Sequence, residues 1–187
     1  AALSGSAAVA AAVAKVSGVV PQVAVVTGTC AGTNAINAAA ADVCVMAEDA
    51  ELFLNAPFNA EDKVANAGSA AFAAKAGVAA VTAADAVAAA KQAASIVALL
   101  PANNLAGPAL FDFAAPSKAL DLVKYSAAGA IAALADEGST VELYAGYGKN
   151  IVTALATING SAVGILATEK AALCHKCTAK AARFVRL

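Results

Sequence analysis

Residues 25–36 read VVTGTCAGTNAI. An apolar, β-branched run stops at Gly28, passes through Thr29-Cys30-Ala31-Gly32, and resumes at Thr33 as an alanine-rich segment. This is the pattern of a strand entering a helix through a turn that carries no bulky side chain. Small residues in such a turn have two explanations. They let the strand and the helix pack closely, or they let a ligand approach backbone N–H groups at the positive end of the helix. Cys30 sits at the helix start, where a thiol pKa can fall, although packing is the better account of a cysteine there.

Working outward, Val19 to Thr27 is β-rich, with Pro21 tolerable at its beginning. Upstream, SGSAAVAAAVAKVSG (residues 4–18) reads as a helix with Ser4 or Ser6 as its cap and Gly18 as its stop. Downstream, Thr33 to Ala41 reads as a short buried helix, Asp42 to Met46 as a buried strand, and Leu52 to Leu54 as a third strand. Beyond a loop around Pro57, Thr82 and Asp85 open an alanine-rich helix in the manner of a capping box, and Pro101 closes it. Residues 103–116, NNLAGPALFDFAAP, read as linker, with Asn103 and Asn104 suited to satisfying loop backbone. Ser126 then caps AAGAIAALADEG, which ends at Gly138 with Asp136 and Glu137 as a solvated charged end. A strand at Val141 to Tyr144 follows. Two β-type runs flank Asn159-Gly160, the preferred pair for a two-residue type I′ hairpin. A last helix is expected from about Thr178. Strands and helices alternate in both halves, which predicts a layered α/β fold divided near residues 105–120.

Composition narrows the function. The net charge of −1 supplies no basic footprint for nucleic acid. Mean hydropathy is high, +0.73, and Val16 to Ala41 carries no charge. That stretch nevertheless contains Pro21, Gln22, Gly28, Gly32, Asn34 and Asn37, and broken polar backbone cannot face lipid. With 61% hydrophobic and 13% charged residues, the chain reads as one whose surface is covered by other subunits rather than as a membrane span. Cysteines at 30, 44, 174 and 177, without a secretory pattern, predict a cytoplasmic protein with reduced thiols. A single C-x-x-C at Cys174-His175-Lys176-Cys177 is incomplete for structural zinc, so it reads as an ordinary loop and no metal is expected. Lys180 and Arg183 share a helix and read as ion-paired or interface residues. The start at Ala1 and the end within the pattern AARFVRL suggest a piece of a longer protein.

Several motifs occur in an order that resembles the biotin-dependent acyl-CoA carboxyltransferases, the acetyl- and propionyl-CoA carboxylase carboxyltransferase family. They are Pro21-Gln22 followed by VAVVTG, GTCAGT (28–33), DVCVM (42–46), LPANN (100–104), GYGKNIV (146–152), INGSAVGILA (158–167) and KAARFVR (180–186). The resemblance implies a crotonase-like fold, a ββα superhelix, with parts of two tandem repeats in this chain. Residues 1–112 would be the later part of the N-terminal carboxyltransferase domain, 113–125 a linker, and 126–187 the beginning of the C-terminal domain. The loop that holds the carboxybiotin carbonyl would lie beyond Leu187.

By the same resemblance, the function is transfer of a carboxyl group between biotin and an acyl-CoA through an enolate. Backbone N–H groups of Gly32 and Thr33 would form the oxyanion hole, with Gly28, Cys30 and Ala31 lining the acyl-CoA. Biotin would arrive on a biotin carboxyl carrier protein and be charged by a biotin carboxylase subunit, and the chain would form a homo-oligomer. Thr33 stands where the family has its second glycine, Thr29 where it has proline, and Phe72, within AGSAAFAAKAG (67–77), where it has histidine. Those departures keep open a non-catalytic acyl-CoA-binding or assembly component of the same fold. A biotin-linked acyl-CoA decarboxylase subunit is the other alternative.

Overall fold

The computed structural model describes residues 2–59 and 64–187, which divide into two compact units. The first takes in residues up to 94 together with 102–104, and the second 95–101 together with 105–187.

In the first unit, α1 (Ala2–Val16) already includes Ser4 and Ser6, so neither serine is the cap that the sequence suggests. The amides of Val19 and Val20 close the helix onto the Val16 carbonyl at 3.0 and 3.2 Å, and Gly18 turns the chain at φ +74°. Closing the helix consumes the front of the β-rich run, and β1 spans only Val23–Val26. β1 pairs in parallel with β3 (Val43–Ala47), and β3 with β5 (Val81–Ala83), in the order β1-β3-β5. All five β3 residues are fully buried, as expected of a central parallel strand covered on both faces. A separate two-stranded parallel sheet joins β2 (Thr29–Ala31) to β4 (Glu51–Phe53). Helix α2 (Thr33–Ala40) follows β2, and α3 (Ala70–Lys75) follows β4 after a 3₁₀ turn at Pro57–Asn59. The order is therefore strand of one sheet, strand of the other, helix, twice over.

Helix α4 (Ala86–Leu99) begins on Asp85, whose Oδ1 accepts the Ala88 N–H at 2.7 Å. Thr82 does not share in that cap, because it pairs opposite Met46 within β5.

The second unit contains α5 (Ala127–Leu134), β6 (Val141–Leu143), β7 (Ile151–Ile158), β8 (Ser161–Thr168) and α6 (His175–Val185). Ser126 caps α5, its Oγ accepting the Gly129 N–H at 3.0 Å. The antiparallel sheet runs β6-β7-β8. β7 and β8 pair from Ile158↔Ser161 to Ile151↔Thr168, around a turn with φ +49° at Asn159 and +76° at Gly160, the type I′ signature. Ile131 and Ala135 of the α5 segment pack on Ala154 and Ala156 of β7. Residues 109–114 do not hang free as a linker. Ala109 O accepts Ala162 N–H, Phe111 N–H donates to Gly160 O, and Ala114 O accepts Glu137 N–H, all at 2.8–2.9 Å. Unsatisfied backbone along the hairpin edge recruits that segment. Helix α6 starts at His175, before the expected Thr178, so the C-x-x-C lies on its first turn rather than in a loop.

Candidate functional site

The turn between β2 and α2 is built by a short ladder. Gly28 O accepts the Glu51 N–H at 3.1 Å and Gly32 N–H donates to Phe53 O at 3.1 Å, so β2 is pinned to β4 at both ends. Thr29 Oγ1 adds a bond to Glu51 Oε2 at 3.2 Å. Gly32 then breaks the strand with φ +61° and ψ −133° and becomes the N-cap of α2. Only glycine adopts that conformation without strain. The Gly32 carbonyl accepts Ala35 N–H at 3.1 Å and Ile36 N–H at 3.4 Å, closing the first turn.

This geometry separates the two expected donors. The Gly32 amide is committed to Phe53 O, so it does not point at a ligand. Thr33 and Asn34 head the helix, and among the described residues neither of their N–H groups has an acceptor. Thr33 is exposed and its Oγ1 donates to Ser6 Oγ at 3.3 Å. Gly28 and Ala31 are exposed as well. A Cβ built on Gly28 or Gly32 meets nothing within 4 Å, so the turn borders open space at both glycines. Cys30 is half-buried, and burial pushes its thiol above the ordinary value. Its position at the turn therefore does not activate it, contrary to what a helix start alone suggests. Phe72 lies on α3 and is exposed.

A larger cavity, about 510 Å³, belongs to the second unit and is walled by Leu99, Leu155, Val163, Leu166 and Phe184. It is lined without a titratable or nucleophilic side chain, and so it offers shape and apolar surface but no chemistry.

Two charged residues are buried: Asp136, expected as a solvated helix end, and Lys180, expected as an ion-paired or interface residue. Asp136, 3% exposed, accepts Asn159 N–H at 3.0 Å and Gly160 N–H at 2.8 Å. It is a turn-holding carboxylate and not a solvated helix end. Desolvation pushes its carboxyl up, but hydrogen bonds from the Thr157 hydroxyl and the Gly160 and Asn159 amides outweigh this and hold it below the usual range. Lys180 is 3% exposed and donates from Nζ to Ile151 O at 2.8 Å. Burial depresses its pKa, with the charges of Glu142 and Cys177 opposing. Arg183 stacks its guanidinium 5.3 Å from the Tyr144 ring centroid. Sequence alone carries no signal for these hydrogen-bond and stacking partners, which lie between 21 and 39 residues away, with one exception. An Asn-Gly hairpin turn invites the question of what accepts the turn amides.

Among the described residues no three His, Cys, Asp or Glu side chains gather to hold a metal ion. No helix there is long and apolar enough to cross a membrane.

A parallel sheet feeding helix starts, with a glycine turn open on one side, defines an α/β carboxyltransferase-domain fold once the comparisons are added. Residues 1–187 match the carboxyl transferase domain family, and the chain belongs to that family of biotin-dependent acyl-CoA carboxyltransferases. It is 33% identical, over an alignment 192 positions long that covers 91% of this chain, to the methylmalonyl-CoA carboxyltransferase 12S subunit of Propionibacterium freudenreichii subsp. shermanii. Crystal structures of the transcarboxylase 12S hexamer core, one with methylmalonyl-coenzyme A and methylmalonic acid bound, superpose with TM-scores of 0.87 and 0.88 at 32% identity over 98% of this chain. A single-chain, multi-domain long-chain acyl-CoA carboxylase follows at TM-score 0.74 and 26% identity, over 89% of this chain and 18% of its own. The chain spans 37% of the curated relative's length and 40% of the 12S structures.

Proposed function

We propose that this chain is part of a carboxyltransferase that moves a carboxyl group between biotin and an acyl-CoA by way of an enolate. The observation that carries the reading is the match of the whole chain to the carboxyl transferase domain, with 98% of this chain superposing on 40% of a 12S core chain solved with methylmalonyl-CoA bound. In this reading the architecture is two tandem crotonase-like ββα repeats, with residues 1–112 in the first and 126–187 in the second. The strand–strand–helix order repeated in the first unit supports it. Partners are a biotin carboxyl carrier protein, a biotin carboxylase subunit and further copies of this chain.

The chemistry follows from the turn. Gaining or losing a carboxyl group at the carbon beside a thioester passes through an enolate, which places negative charge on the thioester oxygen. An N–H aimed at that oxygen in a site shielded from water stabilises the charge, and the α2 dipole adds to it. Thr33 N–H is the donor the geometry leaves available, with Asn34 N–H beside it. Gly32 contributes its open side and, on release from Phe53 O, its own amide. Gly28, Cys30 and Ala31 shape the approach. Biotin supplies the carboxyl group and, after releasing it, the base. The residues described bear on the acyl-CoA side.

The test is carboxyl transfer from carboxybiotin to a panel of acyl-CoAs headed by methylmalonyl- and propionyl-CoA, run in both directions with the full-length protein. Turnover supports the reading, and decarboxylation without transfer reassigns the chain to a decarboxylase subunit. Thr33→Pro removes the donor at the first helical position, where proline is tolerated. Its kcat is expected to fall about 100-fold with little change in helix content. One observation favours a second reading, a non-catalytic acyl-CoA-binding component: the Gly32 amide is already bonded to Phe53 O. Acyl-CoA binding without turnover in either direction selects that reading.

A further inference from the structure

The first turn of α6 brings together two thiols that the carboxyltransferase reading does not use. Cys174 is the N-cap of the helix, exposed, with its Sγ 2.9 Å from that of Cys177. Cys177 is fully buried. The outer cysteine is open to reagents, whereas the inner one is closed to solvent and touches the outer sulfur. Spacing i, i+3 at a helix start places both sulfurs on one face, close enough to bond after a small rotation. A thiol here also faces the positive end of an eleven-residue helix.

We propose that Cys174 and Cys177 form a redox-active dithiol that undergoes thiol–disulfide exchange with small-molecule disulfides. Cys174 thiolate attacks one sulfur of R–S–S–R, forming a Cys174–S–S–R mixed disulfide. The first leaving thiolate takes up a proton as RSH. Cys177 sulfur then attacks Cys174 Sγ and expels the second thiolate, which takes the Cys177 proton. Two protein thiols and one disulfide become the Cys174–Cys177 bond and two RSH, and excess thiol reverses the sequence. The other cysteines are placed differently. Cys30 is half-buried with its thiol pushed up by burial, and Cys44 lies inside β3. Cys174 is shifted the opposite way: the Cys177 thiol and then the main-chain amides of the first turn stabilise its thiolate against desolvation.

The experiment titrates the full-length protein with oxidised glutathione, quenches it in acid, alkylates free thiols and digests with trypsin. Cleavage after Lys176 separates the two cysteines, so their disulfide appears as peptide 171–176 linked to peptide 177–180. That linked pair is expected to accumulate and to vanish with dithiothreitol. Iodoacetamide should label Cys174 of the reduced protein about tenfold faster than Cys30. Cys174→Ser keeps a good cap and should lose the linked pair entirely, while Cys177→Ser should hold Cys174 as the unresolved glutathione adduct. The proposal is overturned if Cys30 becomes glutathionylated while no linked pair forms. It is equally overturned if the pair forms only after urea unfolding.

Discussion

The turn at Gly28–Gly32 and the turn at Asn159-Gly160 solve one problem in opposite ways. Each reverses or redirects the chain through a glycine at positive φ, and each exposes backbone amides that need acceptors. In the hairpin every amide is claimed from inside: Asp136 takes both Asn159 and Gly160, and the Gly160 carbonyl holds Phe111 N–H. At the helix start one amide is claimed, Gly32 by Phe53, while those of the exposed Thr33 and Asn34 have no acceptor among the described residues. A turn whose amides are all satisfied is scaffold. A turn with amides left over at a helix start is where an anionic oxygen can bind.

Glycine-to-alanine exchanges sharpen this contrast most. At Gly160 an added Cβ runs into the Phe111 carbonyl oxygen while φ stays at +76°, so Gly160→Ala is expected to cost about 3 kcal/mol or more in urea unfolding. At Gly32 the same change meets no atom and pays only for the backbone conformation, φ +61° and ψ −133°, about 1–3 kcal/mol. Activity should reverse the order. Gly32→Ala is expected to lower carboxyl transfer about tenfold or more by narrowing the approach to the oxyanion donor, while folded Gly160→Ala should keep its kcat. Equal destabilisation by the two changes would break the contrast.

Asp136 gives it a pH dependence. Its folded pKa is below the unfolded value, so its stabilisation is present above the ordinary carboxyl range and is lost as pH falls through the folded pKa. Asp136→Asn should therefore lower the Tm at pH 7 and flatten the acid limb of a Tm-against-pH curve. An unchanged acid limb would mean that the carboxylate does not hold the turn. At the small end, Ser126→Ala removes the α5 cap and should cost about 1 kcal/mol, read by urea midpoint with transfer activity intact.

Local signals were legible where a single residue's stereochemistry decides them. Asn159-Gly160, Ser126, Asp85 and the apolar run of β3 all stand where their chemistry predicts. Local pattern misplaces an element where the deciding partner is distant. The strand before Gly28 is short because α1 needs the Val19 and Val20 amides for its own closure. Residues 109–114 cease to be linker because the hairpin edge needs them. At the candidate site the motif identified the turn, but it could not show that Phe53, 21 residues on, takes the Gly32 amide. Asp136 reads as a solvated charge and Lys180 as an ion-paired or interface residue because hydropathy carries no record of which backbone groups a fold leaves unpaired.

The sequence by itself determined the family, the alternation of strands and helices, and the glycine turn that ends in a helix. Those rest on short-range sterics and on motif order, which the chain carries wherever it folds. Tertiary structure alone decided which turn amides stay free, which charges go inside, and that two cysteines meet at the start of α6. Hydrogen-bond satisfaction in a packed interior is settled between residues far apart in the chain, and only the folded backbone brings donor and acceptor within 3 Å or so of each other.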